Sequence, residues 1–216
     1  MIYKFDNLKY LFEEINKKLK TKTSIYIIGG AALLHYGVGK GYTKDVDIVF
    51  NNKSQFESYR DALHELDFVT TYKPKSFEKL EIFEMLEKWE FRFDLFVNTV
   101  VNYFCLSDKM INRSIEVLNL NFLKVSICSK EDIVLFKSLS PDRENDIEDS
   151  IDLIKRGINW KTIYGELENQ YKICSDSKKG RDLVYYFIER IDDLEKRKIS
   201  VPIKNEVIDF YDKINT

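Results

Sequence analysis

Ser24-Ile25-Tyr26-Ile27-Ile28-Gly29-Gly30, followed by Asp45-Val46-Asp47-Ile48-Val49-Phe50, decides the reading of this chain. The β-branched and aromatic run Ser24 to Ile28 is the pattern of a buried strand. Gly29-Gly30 ends it, and Ala31-Ala32-Leu33-Leu34 begins a helix. Gly37, Gly39 and Gly41 make a loop before a second strand, Asp45 to Phe50. Residues two apart on a strand point to the same side, so Asp45 and Asp47 are expected to project together. Crowded carboxylates raise one another's proton affinity unless a cation lies between them. A divalent metal is the simplest such cation. A glycine-led helix start, with free backbone N–H groups and no side chains in the way, suits a phosphate carried by that metal.

A third acid strengthens the pattern. Phe91-Arg92-Phe93-Asp94-Leu95-Phe96 reads as a strand buried on both faces, and Asp94 sits inside it. Burying an unpaired charge is costly, so something must compensate Asp94. One reading is structural, with Arg92 on the same strand face neutralising it. The other brings Asp94 beside Asp45 and Asp47 as a third ligand. Magnesium takes carboxylate oxygens together with substrate phosphates. Two such ions serve nucleotidyl transfer, one activating the attacking hydroxyl and one holding the nucleotide's phosphates. Acids, glycines and metal then propose one reaction, attack of an oxygen on the α-phosphate of a nucleoside triphosphate. On the bland readings, Gly29-Gly30 is a tight turn and Asp45 and Asp47 are solvated at a strand edge. With metal absent, Asp45→Asn is expected to leave stability unchanged or raise it, by relieving repulsion.

Around this core the chain of 216 residues is long enough to bury a sizeable interior. It is 44% hydrophobic and 32% charged, an ordinary globular composition. A formal net charge of -2 excludes a bulk basic field for non-specific nucleic-acid binding. Cys105, Cys128 and Cys174 have no metal-ligand spacing and read as reduced thiols. No signal peptide pattern opens the sequence, and no apolar run approaches the roughly 18 residues of a membrane span. The expected setting is cytoplasmic, away from membranes.

Helical periodicity marks Asn7 to Lys20 and Ser54 to Leu66, the latter with Phe56, Tyr59, Leu63 and Leu66 as its core stripe. From Phe68 to Asn98 the pattern is of strands, and Ile115 to Leu118 with Leu123 to Ile127 reads as a hairpin. Ser129 with Asp132 three residues on signals a helix start. Helices follow over Lys130 to Leu139, Arg143 to Arg156, Trp160 to Ile173, Lys178 to Lys196 and Asn205 to Ile214, punctuated by Pro141, Gly157 and Pro202. Gly165 falls inside one of them. Tyr185-Tyr186-Phe187 is expected in the core. The fold class is α/β (α+β), a mixed sheet with flanking helices over residues 1–128, followed by a C-terminal helical bundle over 129–216.

Gly29-Gly30, Thr43, Asp45-Val46-Asp47 and Asp94 resemble the signature of the DNA polymerase β-type nucleotidyltransferase superfamily. Ile115-Glu116-Val117, Leu123-Lys124-Val125, Ser129 to Ile133, Lys137 and Arg143 to Asp149 are similar to its AbiEii/MenT-like branch, toxin-like nucleotidyltransferases of toxin–antitoxin and phage-defence loci. The likeness spans about residues 24 to 155. It implies that Asp45 and Asp47 bind metal, that Asp94 is the base or third ligand, and that Gly29, Gly30 and Thr43 contact the triphosphate. The implied cofactor is magnesium, as two ions. The implied partners are a nucleoside triphosphate, a tRNA 3′ end or protein hydroxyl as acceptor, and a cognate antitoxin. The chain departs from the branch at Gly41, often Arg, and at Asn145, commonly Lys. Both departures remove positive charge and motivate an alternative, a nucleotide- or partner-binding module that has lost turnover. Lys137 and Arg143 remain as nucleotide-binding candidates, the alternative for Lys137 being a stem that covers core while its head reaches water. Asp146 and Asp149, three apart on a helix, either orient one of them or form an ordinary solvated face.

Overall fold

The computed structural model describes residues 1–2, 4–72, 82–101, 104–140, 143–174 and 176–216. Its centre is a mixed sheet built from the runs that the sequence marks. Strand β1 (Thr23–Ile28) leads directly into helix α2 (Gly29–Tyr36), and strand β2 (Val46–Phe50) follows the glycine loop. Helix α1 (Asp6–Lys18) precedes β1, and helix α3 (Lys53–Glu65) follows β2. Strands β3 (Val69–Thr70), β4 (Glu84–Lys88) and β5 (Phe91–Val97) come next, then the hairpin of β8 (Ile115–Asn119) and β9 (Leu123–Ile127). Among the described residues the sheet order is β3-β4-β5-β2-β1-β9-β8. The pairs β1/β9 and β2/β5 are parallel, and the other neighbours are antiparallel.

This order places β2 between β1 and β5, so the two acid-bearing segments lie side by side at the sheet's centre. Register puts Asp47 opposite Ile28 on β1 and opposite Asp94 on β5. Alternation along β5 does the rest. The Phe93 ring packs against Tyr59 of α3 and against Phe68. Its neighbours Arg92 and Asp94 therefore point to the other face, together. Phe50, Phe56, Tyr59 and Phe93 are fully buried, each such side chain contributing about 1.5–3 kcal/mol of burial. They fix the face that must stay dry, and hence the one left for polar groups.

Two short strands, β6 (Thr99–Val100) and β7 (Phe104–Cys105), pair with each other, and helix α4 (Asp108–Arg113) follows them. The sequence reading did not contain them. Its strand run included residues 73–81, which lie outside the described residues, as does Pro141. After β9 come α5 (Lys130–Ser138), α6 (Glu144–Lys155), α7 (Trp160–Ile173), α8 (Ser177–Lys196) and α9 (Lys204–Asn215). The Ser129 side chain caps α5, accepting from the Asp132 backbone N–H. Helix α7 runs through Gly165 unbroken, and a side chain there would meet open space. Helix α8 buries Leu183, Val184, Phe187, Ile191 and Leu194. Tyr185 departs from the expected core triplet and is 43% exposed, because the buried stripe passes from Leu183 and Val184 to Phe187 and leaves Tyr185 on the outer face.

Helix α5 touches α2, α6, α7 and α8, which ties the helical part to the sheet. A buried polar network fixes it there. Arg113 of α4 pairs with Asp132 of α5 and with Glu166 of α7, its Nη2 lying 2.7 Å from Glu166 Oε2. Ser129 Oγ donates to Asp132 at 2.9 Å, and Ser107 Oγ donates to Glu166 at 2.8 Å. Burial pushes the Asp132 carboxyl up, and the Arg113 guanidinium pulls it back. On α8, the fully buried Arg190 donates from Nη2 to the carbonyls of Lys137 and Ser140 at 2.9 and 3.0 Å, closing the end of α5.

Replacing Arg113 strands two buried carboxylates. Arg113→Met is expected to lower unfolding free energy by about 3–5 kcal/mol, measured by urea denaturation at neutral pH.

Candidate active site

The site forms where β1 gives way to α2 and where β2 and β5 carry their acids. Gly29 has a positive φ of 62° and is the first residue of α2, so the helix begins on the glycines rather than at Ala31. Here the glycine requirement is steric as well as conformational. A Cβ on Gly29 would overlap Asp47 Oδ2, and one on Gly30 would overlap the Thr43 hydroxyl. The absence of side chains thus lets a carboxylate and a hydroxyl press against the helix start, where the first backbone N–H groups lack helical partners. Thr43 is held by backbone hydrogen bonds to Ile2, 2.9 Å in each direction. Its hydroxyl donates to the Asp45 carbonyl at 3.0 Å and reaches Asp45 Oδ1 at 3.2 Å.

Asp45 lies just before β2 rather than within it, yet it lines the same cavity as Asp47 and Asp94. The acids are not equivalent. Asp94, almost wholly buried, accepts from Arg92 through both oxygens: Nε to Oδ1 at 2.9 Å and Nη2 to Oδ2 at 3.0 Å. The same Nη2 pairs with Asp45 Oδ2. Burial raises the Asp94 carboxyl to about 6, against the pull of Arg92. Asp47 is raised well above the ordinary carboxylate range, first by burial and then by the charges of Asp45 and Asp94. Arg92 is therefore the cation between Asp45 and Asp94, and Asp47 is the acid left most in need of positive charge. Asp45→Asn would remove a charge that Arg92 pairs with and that the Thr43 hydroxyl reaches.

The cavity, about 300 Å³, is closed on its other side by the helical part. Lys137 of α5 is tied to Asp146 at 2.8 Å and Asp149 at 2.7 Å, and its side chain is only 10% exposed. Its head therefore does not simply reach water, as an ordinary stem-burying lysine's would. Arg143 stays mostly exposed, with Nε 3.4 Å from Asp146 Oδ2. Lys40 lines the cavity too, as do Gly41 and Asn145, the two positions where a cation was expected and is missing. All eight proposed site residues, Gly29, Gly30, Thr43, Asp45, Asp47, Asp94, Lys137 and Arg143, meet here. The long-range partner that sequence reasoning missed is Arg92 for Asp45. The only signal for it was the Arg-x-Asp spacing.

Among the described residues, no three Asp, Glu, His or Cys side chains close on one another as a ready metal cluster, and Arg92 stands between two of the acids. The chemistry of the donor set fits a hard divalent cation, since it consists of carboxylate oxygens, one of them short of compensating charge.

Residues 6–195 match a family described as nucleotidyltransferase of unknown function, DUF6036. The chain belongs to this family. As a member it is an enzyme of the nucleotidyltransferase class. No functionally curated protein matches the sequence. Among solved structures the chain is similar to the solution structure of the antibiotic-resistance factor ANT(2'')-Ia, at 15% identity, covering 89% of this chain and 97% of that one, with a TM-score of 0.47. It is similar to an antigenic nucleotidyltransferase-like protein from Paracoccidioides brasiliensis, at 17% identity, 89% and 87% coverage and a TM-score of 0.43. It is also similar to ANT(2'')-Ia in complex with adenylyl-2''-tobramycin, at 14% identity, 84% and 95% coverage and a TM-score of 0.42.

The raised carboxyls set a pH dependence. A group that binds its proton more tightly folded than unfolded stabilises the fold below its unfolded value, and this is lost as pH rises through the folded value. For Asp47 and Asp94 the window opens near 3.8 and extends to about 6 for Asp94 and beyond 3.8 by a wide margin for Asp47. In EDTA, the urea midpoint of the parent should fall as pH rises from about 4 to about 8. Asp47→Asn should fall less steeply, and at neutral pH should be more stable than the parent by about 1 kcal/mol or more.

Proposed function

We propose that this cavity binds a nucleoside triphosphate and transfers its nucleoside monophosphate to an acceptor hydroxyl in a metal-dependent reaction. The observation that carries the reading is the contact of Asp47 with Gly29, which puts a carboxyl that stands beside Asp94 in the sheet at a glycine helix start suited to phosphate. The helix-start N–H groups at Gly29 and Gly30 would hold the triphosphate, the Thr43 hydroxyl would turn from the Asp45 carbonyl to reach it, and Lys137 and Arg143 would add positive charge along it. Asp45, Asp47 and Asp94 would hold two magnesium ions, which supply charge neutralisation of the phosphates and activation of the acceptor oxygen. Asp94, as base, takes the acceptor's proton. The acceptor oxygen bonds to the α-phosphorus, the α–β anhydride bond breaks, and pyrophosphate leaves.

We further place the chain in the AbiEii/MenT-like branch, with a tRNA 3′ end or a protein hydroxyl as acceptor and a cytoplasmic setting in which a cognate antitoxin restrains it. Residues 1–128 act as the catalytic unit and 129–216 as a helical unit that supplies Lys137 and Arg143. The second reading, a binding module without turnover, draws on Gly41 and on the capture of Lys137 by two aspartates.

Incubation with labelled triphosphates, magnesium and total tRNA or lysate is expected to label an acceptor. Asp47→Ala should cut transfer by about 100-fold or more, the loss of several kcal/mol of transition-state stabilisation. Equal labelling by Asp47→Ala overturns the proposal, and triphosphate binding by calorimetry without any labelled product selects the second reading. In the toxin setting, expression of the parent alone slows growth and Asp47→Ala does not.

A further inference from the structure

We propose that Arg92 is a positioning residue that holds the acidic site closed, and that a divalent cation enters by displacing its guanidinium. The inference rests on the metal-dependent reading above and deepens it. Both oxygens of Asp94 accept from Arg92, and Nη2 of the same fork also pairs with Asp45 Oδ2. The remaining Asp45 oxygen is reached by the Thr43 hydroxyl at 3.2 Å. A hard cation that coordinates Asp45 and Asp94 needs those same oxygens, so guanidinium and metal compete for one set of acceptors.

The geometry is that of a stand-in charge. Arg92 sits two residues before Asp94 on β5, so both project on one face by strand alternation. Its guanidinium thus spans to Asp45, a residue from the neighbouring segment. A guanidinium keeps its charge throughout the range in which proteins fold, so deprotonation does not open the site. Displacement does. The side chain is 21% exposed, so part of it already meets solvent.

The energetic consequence follows from linkage. Metal binds only the fraction of molecules in which Arg92 has moved aside, and its apparent affinity is reduced by that fraction. The closed state in turn is stabilised by pairing two acids that otherwise repel. Arg92 so exchanges metal affinity for stability of the metal-free fold. A residue with only a structural role would do the reverse, since its loss would disorder the ligands and weaken metal binding.

Mn2+ titration by calorimetry and thermal melting, in EDTA and in Mn2+, of the parent, Arg92→Met and Arg92→Lys tests this. Arg92→Met is expected to bind Mn2+ about tenfold more tightly than the parent. It should melt roughly 2–4 °C lower in EDTA and regain more than the parent when Mn2+ is added. Arg92→Lys, with a charge but no fork, should lie between them. If Arg92→Met does not fold, Arg92→Lys carries the comparison. Binding by a variant alone also supports the proposal. Equal or weaker Mn2+ binding by the variants, with the parent binding, overturns the closed-site role and leaves the metal reading in place. No Mn2+ binding by any of the proteins overturns both.

Discussion

Asp47 and Asp94 stand side by side on parallel strands, with Asp45 one step away, and the ion pairs of Arg92 with Asp94 and Asp45 make that crowding tolerable. Paired strands lie about 4.8 Å apart, so carboxylates at matched positions repel strongly in a part-buried setting. Arg92 offsets the repulsion for two of them. Asp47 makes no such pair with Arg92, and burial first, then the charges of Asp45 and Asp94, raise its proton affinity. The glycine corner, the placement of Thr43 and the closing helices are arranged around this one electrostatic problem.

The helical part brings Lys137 and Arg143 to the cavity, and Lys137 is the more tightly held of the two. Lys137 projects from the last turn of α5, and the position of α5 is set from both ends. At its start, Ser129 and the Arg113–Asp132–Glu166 network fix it to α4 and α7. At its end, Arg190 holds the carbonyls of Lys137 and Ser140. Among the described residues Nε and Nη1 of Arg190 are buried without hydrogen-bond partners, so a desolvation cost is accepted to keep that end in place. Asp146 and Asp149 then orient the ammonium from α6.

Much of this was legible in the sequence because local pattern and final environment agree. Ser24 to Ile28 and Phe91 to Phe96 are apolar enough to lie only in a sheet interior, and the observed strands Thr23–Ile28 and Phe91–Val97 follow them closely. Asp94 was conspicuous because a carboxylate in such a run needs a partner. Local pattern does not carry what depends on register. The pairing of Arg92 with Asp45 joins residues 47 positions apart and exists only once β2 and β5 align. The buried network of Arg113 and Glu166 is likewise long-range, and α4 is too short for periodicity to mark it. Tyr185 was misplaced because three adjacent aromatics on a helix cannot all face inward.

The parallel pairing of β2 and β5 also bears on how the chain reaches this state. Parallel strands need a crossover, and here α3, β3 and β4 are threaded between them, so the pairing closes a long loop and is slow to form. Until it closes, Asp94 is far from Asp45 and Asp47 and the acids do not repel. When β5 docks, it brings the third negative charge to the site, and Arg92, two residues earlier on the same strand, arrives in the same step. The compensating charge thus travels with the charge that it compensates, and no compact intermediate has to carry three bare carboxylates.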